Sequence, residues 1–151
     1  MKLAEALLLR ADMKKKLESL RSRVASNAVV QEGETPHEDP SELLMQSFGV
    51  VKDLQGLIVK INTANHANKL DDGRTLAELI NEREGIAQRH SLITNAIQSS
   101  HKEPDRYSMS EIRWVAALDV KSLQKQADDL AIKIRELNAI IQEKNWRVEL
   151  D

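Results

Sequence analysis

The apolar residues of this chain fall in four long stretches, and within each stretch they recur three or four positions apart. The last stretch, predicted as a helix over 119–146, shows the pattern most clearly. Its regularly spaced apolar residues are Val120, Leu123, Ala127, Leu130, Ile134, Leu137 and Ile141. This spacing forms the narrow stripe along which two helices pack side by side. Because such a stripe is marginally stable alone in water, the pattern predicts that the helix packs against another.

Three further helices are predicted, over 3–30, 40–67 and 75–100. The stripe of the first includes Leu3, Ala6, Met13, Leu17, Leu20 and Val24, with Arg10 among them. The stripe of the second includes Leu44, Val51, Leu54, Ile58 and Ile61, with Ser47 and Asn65 among them. The stripe of the third includes Leu76, Leu79, Ile86, Ile93 and Ile97, with Arg83 and His90 among them. The starts of the second and third helices carry capping residues, Asp39-Pro40 and Thr75-Leu76-Ala77-Glu78.

The segments between these helices contain residues that favour loops and turns. The first connection carries Gly33, Pro36 and Pro40 and is acidic, whereas the Asp72-Gly73 step predicts a tight turn between the second and third helices. Because that turn is short, we expect these two helices to form an antiparallel hairpin.

Residues 111–118 alternate between apolar and polar side chains, which indicates a short strand. The preceding Ser108-Met109-Ser110-Glu111 also fits the capping box of a short helix, so the alternative stays open, although we favour the strand. The tail, 146–150, alternates in the same way and could pair with it.

Composition agrees with a mainly α fold. Aromatic residues make up 3% of the chain and charged residues 30%, a mixture typical of long helices with solvated faces. We therefore predict an antiparallel four-helix bundle of coiled-coil character, with the short β segment near 111–118, as a single domain over residues 1–151.

Composition also restricts function. The chain has no cysteine, which excludes disulfides and thiolate chemistry and favours a cytoplasmic location. A net charge of −2 gives no general attraction to nucleic acid, and no apolar run approaches the roughly 18 residues that a membrane span requires. We expect no nucleic-acid partner and no stable membrane span.

Two groups of polar residues are candidate ligand-binding sites. The first comprises Asn62, Asn65 and His66 near the end of the second helix, with Arg74 beyond the turn. The second comprises Arg106, Tyr107 and Arg113 around the next helix break. Arginine and free helix amide groups suit an anionic or nucleotide-like ligand. The structural interpretation of Asn62, Asn65, His66 and Asn68 is that asparagines at a helix end cap it and fix the register of neighbouring helices.

No catalytic residue, metal site or cofactor is predicted. His37, Glu38 and Asp39 offer ligand atoms, but adjacent residues of an acidic loop rarely converge on one metal ion. Glu78, Glu82 and Glu84 lack the Glu-x-x-Glu spacing that magnesium-dependent helical pyrophosphatases use. The question of enzymatic activity stays open, with its absence favoured.

Several segments together resemble the small bacterial proteins called septicolysin-like. They include Met1–Asp12, Gln31–Glu34, Glu38–Pro40, Asp72–Leu76, Asp105–Ser108, Ser110–Arg113 and Leu123–Trp146. The resemblance covers nearly the whole chain, and its label implies a cytolysin.

Three functions are compatible with these features of the sequence. The leading hypothesis is a non-enzymatic helical scaffold or interaction protein that forms a homo-oligomer, because four helices with apolar stripes expose more of them than one copy covers. The alternatives are a protein that binds a small anion or nucleotide-like molecule and a membrane-active cytolysin.

Overall fold

The computed structural model describes residues 1–101 and 113–150, which contain four α-helices. These are α1 (Leu3–Asn27), α2 (Pro40–Ala67), α3 (Leu76–Ser100) and α4 (Val120–Arg147). The predicted mainly α class is confirmed, and the predicted helix bounds are close to those observed. The chain forms two compact units, the first from Met1–Leu76 with Gln142–Asp151 and the second from Ala77–Ile141. The prediction of a single domain stays a prediction.

Helix α1 buries the predicted stripe but ends three residues earlier than predicted. Leu3, Ala6 and Leu20 are buried, and the other stripe residues are half-buried. The early end is explained by Asn27, whose side-chain nitrogen donates to the carbonyl oxygen of Arg23 at 2.9 Å. Its side-chain oxygen accepts the backbone N–H of Glu38 at 3.1 Å. Asn27 therefore holds the following loop against the end of the helix.

Helix α2 begins as predicted, because the Asp39 carboxylate accepts the backbone N–H of Ser41 at 2.8 Å and Pro40 occupies the first turn. The prediction of its buried stripe is partly wrong. Leu54 and Ile61 are buried, but Leu43 and Leu57 are buried in place of Leu44 and Ile58. The predicted stripe residues Leu44 and Val51 are exposed. A helix that is apolar on several sides does not define its buried face by spacing alone.

The first unit is built on the packing of α1 against α2. Its core comprises Leu3, Ala4, Ala6, Leu20, Leu43, Leu54, Leu57, Ile61, Ala64, Leu76, Val148 and Leu150. A tight turn after α2 completes this unit, with Gly73 at φ +87°. The backbone N–H of Leu70 donates to the carbonyl oxygen of Arg74 at 2.7 Å, and the N–H of Gly73 donates to the carbonyl oxygen of Leu70 at 3.0 Å. The predicted tight turn is confirmed.

The C-terminal tail corrects the predicted β pairing. It runs antiparallel to the N-terminus through a bridge between Lys2 and Glu149. The N–H of Leu3 donates to Val148 and the N–H of Leu150 donates to Met1, both at 2.8 Å. The described part of the predicted strand, 113–118, has no strand structure, whereas 111 and 112 lie outside the described residues. Residues 113–118 are exposed, whereas a short strand is stable only where other elements cover it.

The second unit contains most of α3 and α4. The start of α4 is capped by Asp119, whose carboxylate accepts the N–H of Ser122 at 3.1 Å. Arg83, predicted within the stripe of α3, donates to the side-chain oxygen of Asn138 on α4 at 3.2 Å. The side chains buried in this unit are Leu79, Ala127, Leu130, Leu137 and Ile141. All five were predicted on apolar stripes.

Candidate functional site

The polar residues predicted as the first candidate site lie on the end of α2 and in the turn that follows it. Asn62 and His66 are exposed on one side of α2, and the ring Nδ1 of His66 lies 2.8 Å from the backbone oxygen of Asn62. Asn65 is half-buried on the same helix. Arg74 is held by Asp72, with its Nε at 2.8 Å and Nη2 at 2.6 Å from the carboxylate oxygen Oδ2. A ligand-binding role for these residues stays a prediction.

The second predicted group is described in part. Arg106 and Tyr107 lie outside the described residues, and Arg113 is exposed. The segment after Arg113 borders a cavity of about 620 Å³ with the end of α3. Its lining is Ala96, Ser99, Ser100, His101, Trp114, Val115, Ala116, Ala117 and Leu118, which does not include Arg113.

A second cavity lies in the first unit, close to the predicted turn. This cavity, here called the end cavity, has a volume of about 320 Å³. Its lining residues are Asn68, Lys69, Leu70, Leu76, Lys144, Arg147, Val148 and Glu149. The end of α2 therefore meets the last turn of α4 and the C-terminal tail at one place. Sequence reasoning noticed Asn68 but missed the three basic residues, since nothing in the spacing indicated that the tail folds back here.

Asn68 closes the end of α2 at this cavity. Its backbone N–H and its side-chain nitrogen both donate to the carbonyl oxygen of Ala64, at 3.1 and 2.8 Å. Its own carbonyl oxygen accepts the N–H of Leu76, the first residue of α3, at 3.0 Å. The capping interpretation is thus confirmed for Asn68, whereas Asn62 and Asn65 lie within α2.

Three ion-paired carboxylates stabilise the loops and termini of the first unit. A hydrogen bond from the Arg23 side chain lowers the pKa of Glu38, and Glu38 in turn raises the pKa of Arg23. Hydrogen bonds from the side chain and backbone of Arg74 lower the pKa of Asp72. The Lys2 side chain, at 2.5 Å, lowers the pKa of Glu149, and its charge and that of the N-terminus add to this effect. Each carboxylate therefore favours its ionised form in the folded chain.

One buried polar group has no hydrogen-bond partner in the described part of the chain. Asn145 is 4% exposed and follows Ile141 by four positions, so it continues the buried stripe of α4. Its Oδ1 atom is buried without a partner. The stripe predicted from the sequence ended at Ile141 and did not include Asn145.

The outer face of α2 is the main exposed apolar surface of the first unit. We define it by Leu44, Met45, Phe48, Val51 and Val59, which are between 39% and 68% exposed. Leu57, which is buried, follows Phe48 by about two and a half helical turns and so lies on the opposite side. Helix α2 therefore has two apolar sides, of which one is buried against the rest of the unit.

No metal site is evident in residues 1–101 and 113–150, where no group of three or more His, Asp or Glu side chains could hold an ion. In the same ranges, no helix combines the length and apolarity needed to cross a membrane.

Helices, caps and a folded-back tail together define a mainly α-helical protein built from two compact units. The chain belongs to the family described as "Family of unknown function (DUF6847)", which matches residues 10–150. It is also similar to a solved structure titled "Crystal structure of a functionally unknown conserved protein from Corynebacterium diphtheriae". The two are 33% identical, with a TM-score of 0.90, over 100% of this chain and 99% of that one. No curated protein matches the chain significantly.

These comparisons correct the predicted resemblance. The expectation of a septicolysin-like protein was wrong, because the matching family and the solved structure carry no such description. The cytolysin hypothesis rested on that resemblance and is withdrawn with it.

Proposed function

We propose that this protein is a non-enzymatic interaction protein that forms a homo-oligomer through the outer face of α2. The observation that carries the proposal is the apolar second side of this helix. Monomeric proteins seldom expose a contiguous apolar patch of this kind unless it serves an interaction. Outside α2, large apolar side chains are also exposed, but in smaller groups, such as Leu8 with Leu9 on α1 and Trp114 with Val115 and Leu118 before α4.

The composition of the outer face suits a protein–protein contact. Phenylalanine and methionine are enriched in such contacts, whereas charged residues are depleted from their centres. Between Glu42 and Lys60 the helix carries only two charged residues, Lys52 and Asp53, of which Lys52 lies on the side of the outer face. Gly49 and Gly56 have no atom within 4 Å of the position a Cβ would occupy, so they leave room for a neighbouring helix.

A second copy of the same chain is the partner that this face fits best. Leu44, Phe48 and Val51 are four and three residues apart, which is the spacing that two identical helices use to interlock. In a twofold dimer the same patch serves both copies, so one helix supplies a complete interface. Pairing would remove the exposed apolar surface of both copies from water.

Sedimentation equilibrium tests the proposal. The natural chain is expected to associate at micromolar concentration, and Phe48→Glu, placing a charge within the face, is expected to shift it to monomer. Leu92→Glu is the matched control, because Leu92 is 69% exposed but lies on α3. Circular dichroism of each variant verifies that helix content is unchanged.

Two results would contradict the proposal. The first is a natural chain that stays monomeric up to about 200 µM, a concentration at which even weak specific dimers form. The second is association that survives Phe48→Glu but is abolished by Leu92→Glu, which would place the interface on α3.

A further inference from the structure

The end cavity combines positive charge with an apolar wall. Lys69, Lys144 and Arg147 line it together with one carboxylate, that of Glu149. The charges of these four side chains give a local excess of two positive charges in a chain whose net charge is −2. The apolar part of the wall comes from Leu70, Leu76 and Val148, of which Leu76 and Val148 are buried.

The two ion pairs at the cavity leave this excess in place. Glu149 is bonded to Lys2, which offsets its charge. Arg147 lies 2.6 Å from Glu143, but a guanidinium carries five N–H donors and one carboxylate does not use all of them. Lys69 and Lys144 make no ion pair within 4 Å in the described part of the chain. Their ammonium groups are therefore available to a ligand.

We propose that the end cavity binds a small phosphate monoester. A phosphate group carries between one and a half and two negative charges near pH 7, which matches the local excess of positive charge. Its three acceptor oxygens suit two ammonium groups and a guanidinium. The organic part of the ester then contacts the apolar wall formed by Leu70, Leu76 and Val148.

The size of the cavity restricts the ligand further. At about 320 Å³ it lies at the lower end of the range of small-molecule sites. A short ester or a single phosphorylated ring fits this volume better than a dinucleotide. The site differs from the predicted Asn62, Asn65, His66 and Arg74 group, none of which lines the cavity.

A structural role for the basic residues does not compete with this site. Lys144 and Arg147 lie in the last turn of α4, where positive charge offsets the helix dipole. That role stabilises the helix whether or not a ligand is present. Ligand binding is therefore the measurement that separates the two roles.

Isothermal titration calorimetry with phenyl phosphate tests the proposal, with phenol as the uncharged comparison. The natural chain is expected to bind phenyl phosphate but not phenol, and more weakly as sodium chloride is raised. The double variant Lys69→Gln/Lys144→Gln is expected to weaken binding about tenfold or more, through loss of two charge-assisted hydrogen bonds. Lys125→Gln/Lys133→Gln is the control, since it removes the same charge from exposed positions of α4 that do not line the cavity.

Absence of heat with the natural chain at about 10 mM phenyl phosphate, where even weak sites are occupied, would overturn the proposal. So would an equal loss of affinity in the two double variants, since binding would then follow net charge and not the cavity. The site lies apart from the outer face of α2 in its residues, so the Phe48→Glu variant should keep its affinity for phenyl phosphate. Either proposal can thus fail without the other.

Discussion

Replacing Asn145 by leucine is expected to stabilise the fold. The Asn145 side chain is 4% exposed, and its Oδ1 atom accepts no hydrogen bond in the described part of the chain. A buried carbonyl without a partner loses its bonds to water on folding and gains none in return. Leucine has a similar branched shape and no polar atom, so the substitution Asn145→Leu removes this penalty.

The size of the effect follows from two opposing contributions. An unsatisfied buried polar group costs about 1–3 kcal/mol, and burying a leucine side chain adds about 1.5–3 kcal/mol relative to leaving it exposed. Against this gain, the tetrahedral side chain of leucine must fit where a planar amide lay, and misfit in a packed core costs about 1–3 kcal/mol. The net expectation from mid-range values is a gain of about 2 kcal/mol.

Urea unfolding followed by circular dichroism measures this change. The midpoint is expected to rise while the slope with denaturant stays the same, which is the sign of a pure stability change. Because the chain associates in our account, both proteins are compared at one concentration. Asn138→Leu is a useful contrast, because the Asn138 oxygen accepts from Arg83 at 3.2 Å, and its loss should destabilise the fold.

A loss of more than about 1 kcal/mol in Asn145→Leu would refute the reasoning. It would mean that the Asn145 oxygen has a partner that offsets its burial, such as an ordered water.

Three further predictions concern the fold. Asn27→Ala, which leaves the Glu38 backbone N–H without its acceptor, is expected to cost about 1–3 kcal/mol in urea unfolding. Leu20→Ala should cost about 2–5 kcal/mol, since Leu20 is 1% exposed, whereas Leu92→Ala should cost almost nothing. The lowered pKa values of Glu38, Asp72 and Glu149 mean that their contribution to stability is present above the ordinary carboxyl pKa and is lost as pH falls through the lowered one. The urea concentration at the unfolding midpoint should therefore decrease as the pH is lowered below about 4. Glu38→Gln should reduce this dependence of the midpoint on pH.

Much of the fold could be predicted because local chemistry determined it. The start of α2 follows from Asp39 and Pro40, and the buried positions of α1 and α4 follow from three-four spacing. These features depend on residues within one or two turns of each other. The mainly α class needed nothing beyond them.

The buried face of α2 could not be predicted in the same way. Its sequence offers apolar residues on both sides, so spacing supports Leu44 and Leu43 equally. Only packing against α1 selects Leu43, leaving Leu44 exposed. The second apolar side that made the buried face ambiguous is the one now proposed as an interface.

The candidate sites depended on contacts between distant residues. The end cavity needs Lys69 and Lys144 to meet, which in turn needs the tail to pair with the N-terminus. No local pattern specifies that pairing. The predicted Asn62 and His66 pair was local, and both side chains are exposed on the surface of α2.

The most direct test of the account is the distance between two copies at the outer face of α2. Because the chain has no cysteine, Lys52→Cys places one spin label midway along this face, where the two labels are close whichever way the helices run. Since packed helices lie about 8–10 Å apart, the account predicts a label distance below about 25 Å by pulsed electron paramagnetic resonance. A label at Lys15→Cys, an exposed position of α1 in the same unit, serves as the control and should give a longer distance. No dipolar coupling between copies at Lys52, or one corresponding to more than about 40 Å, would contradict the proposed interface.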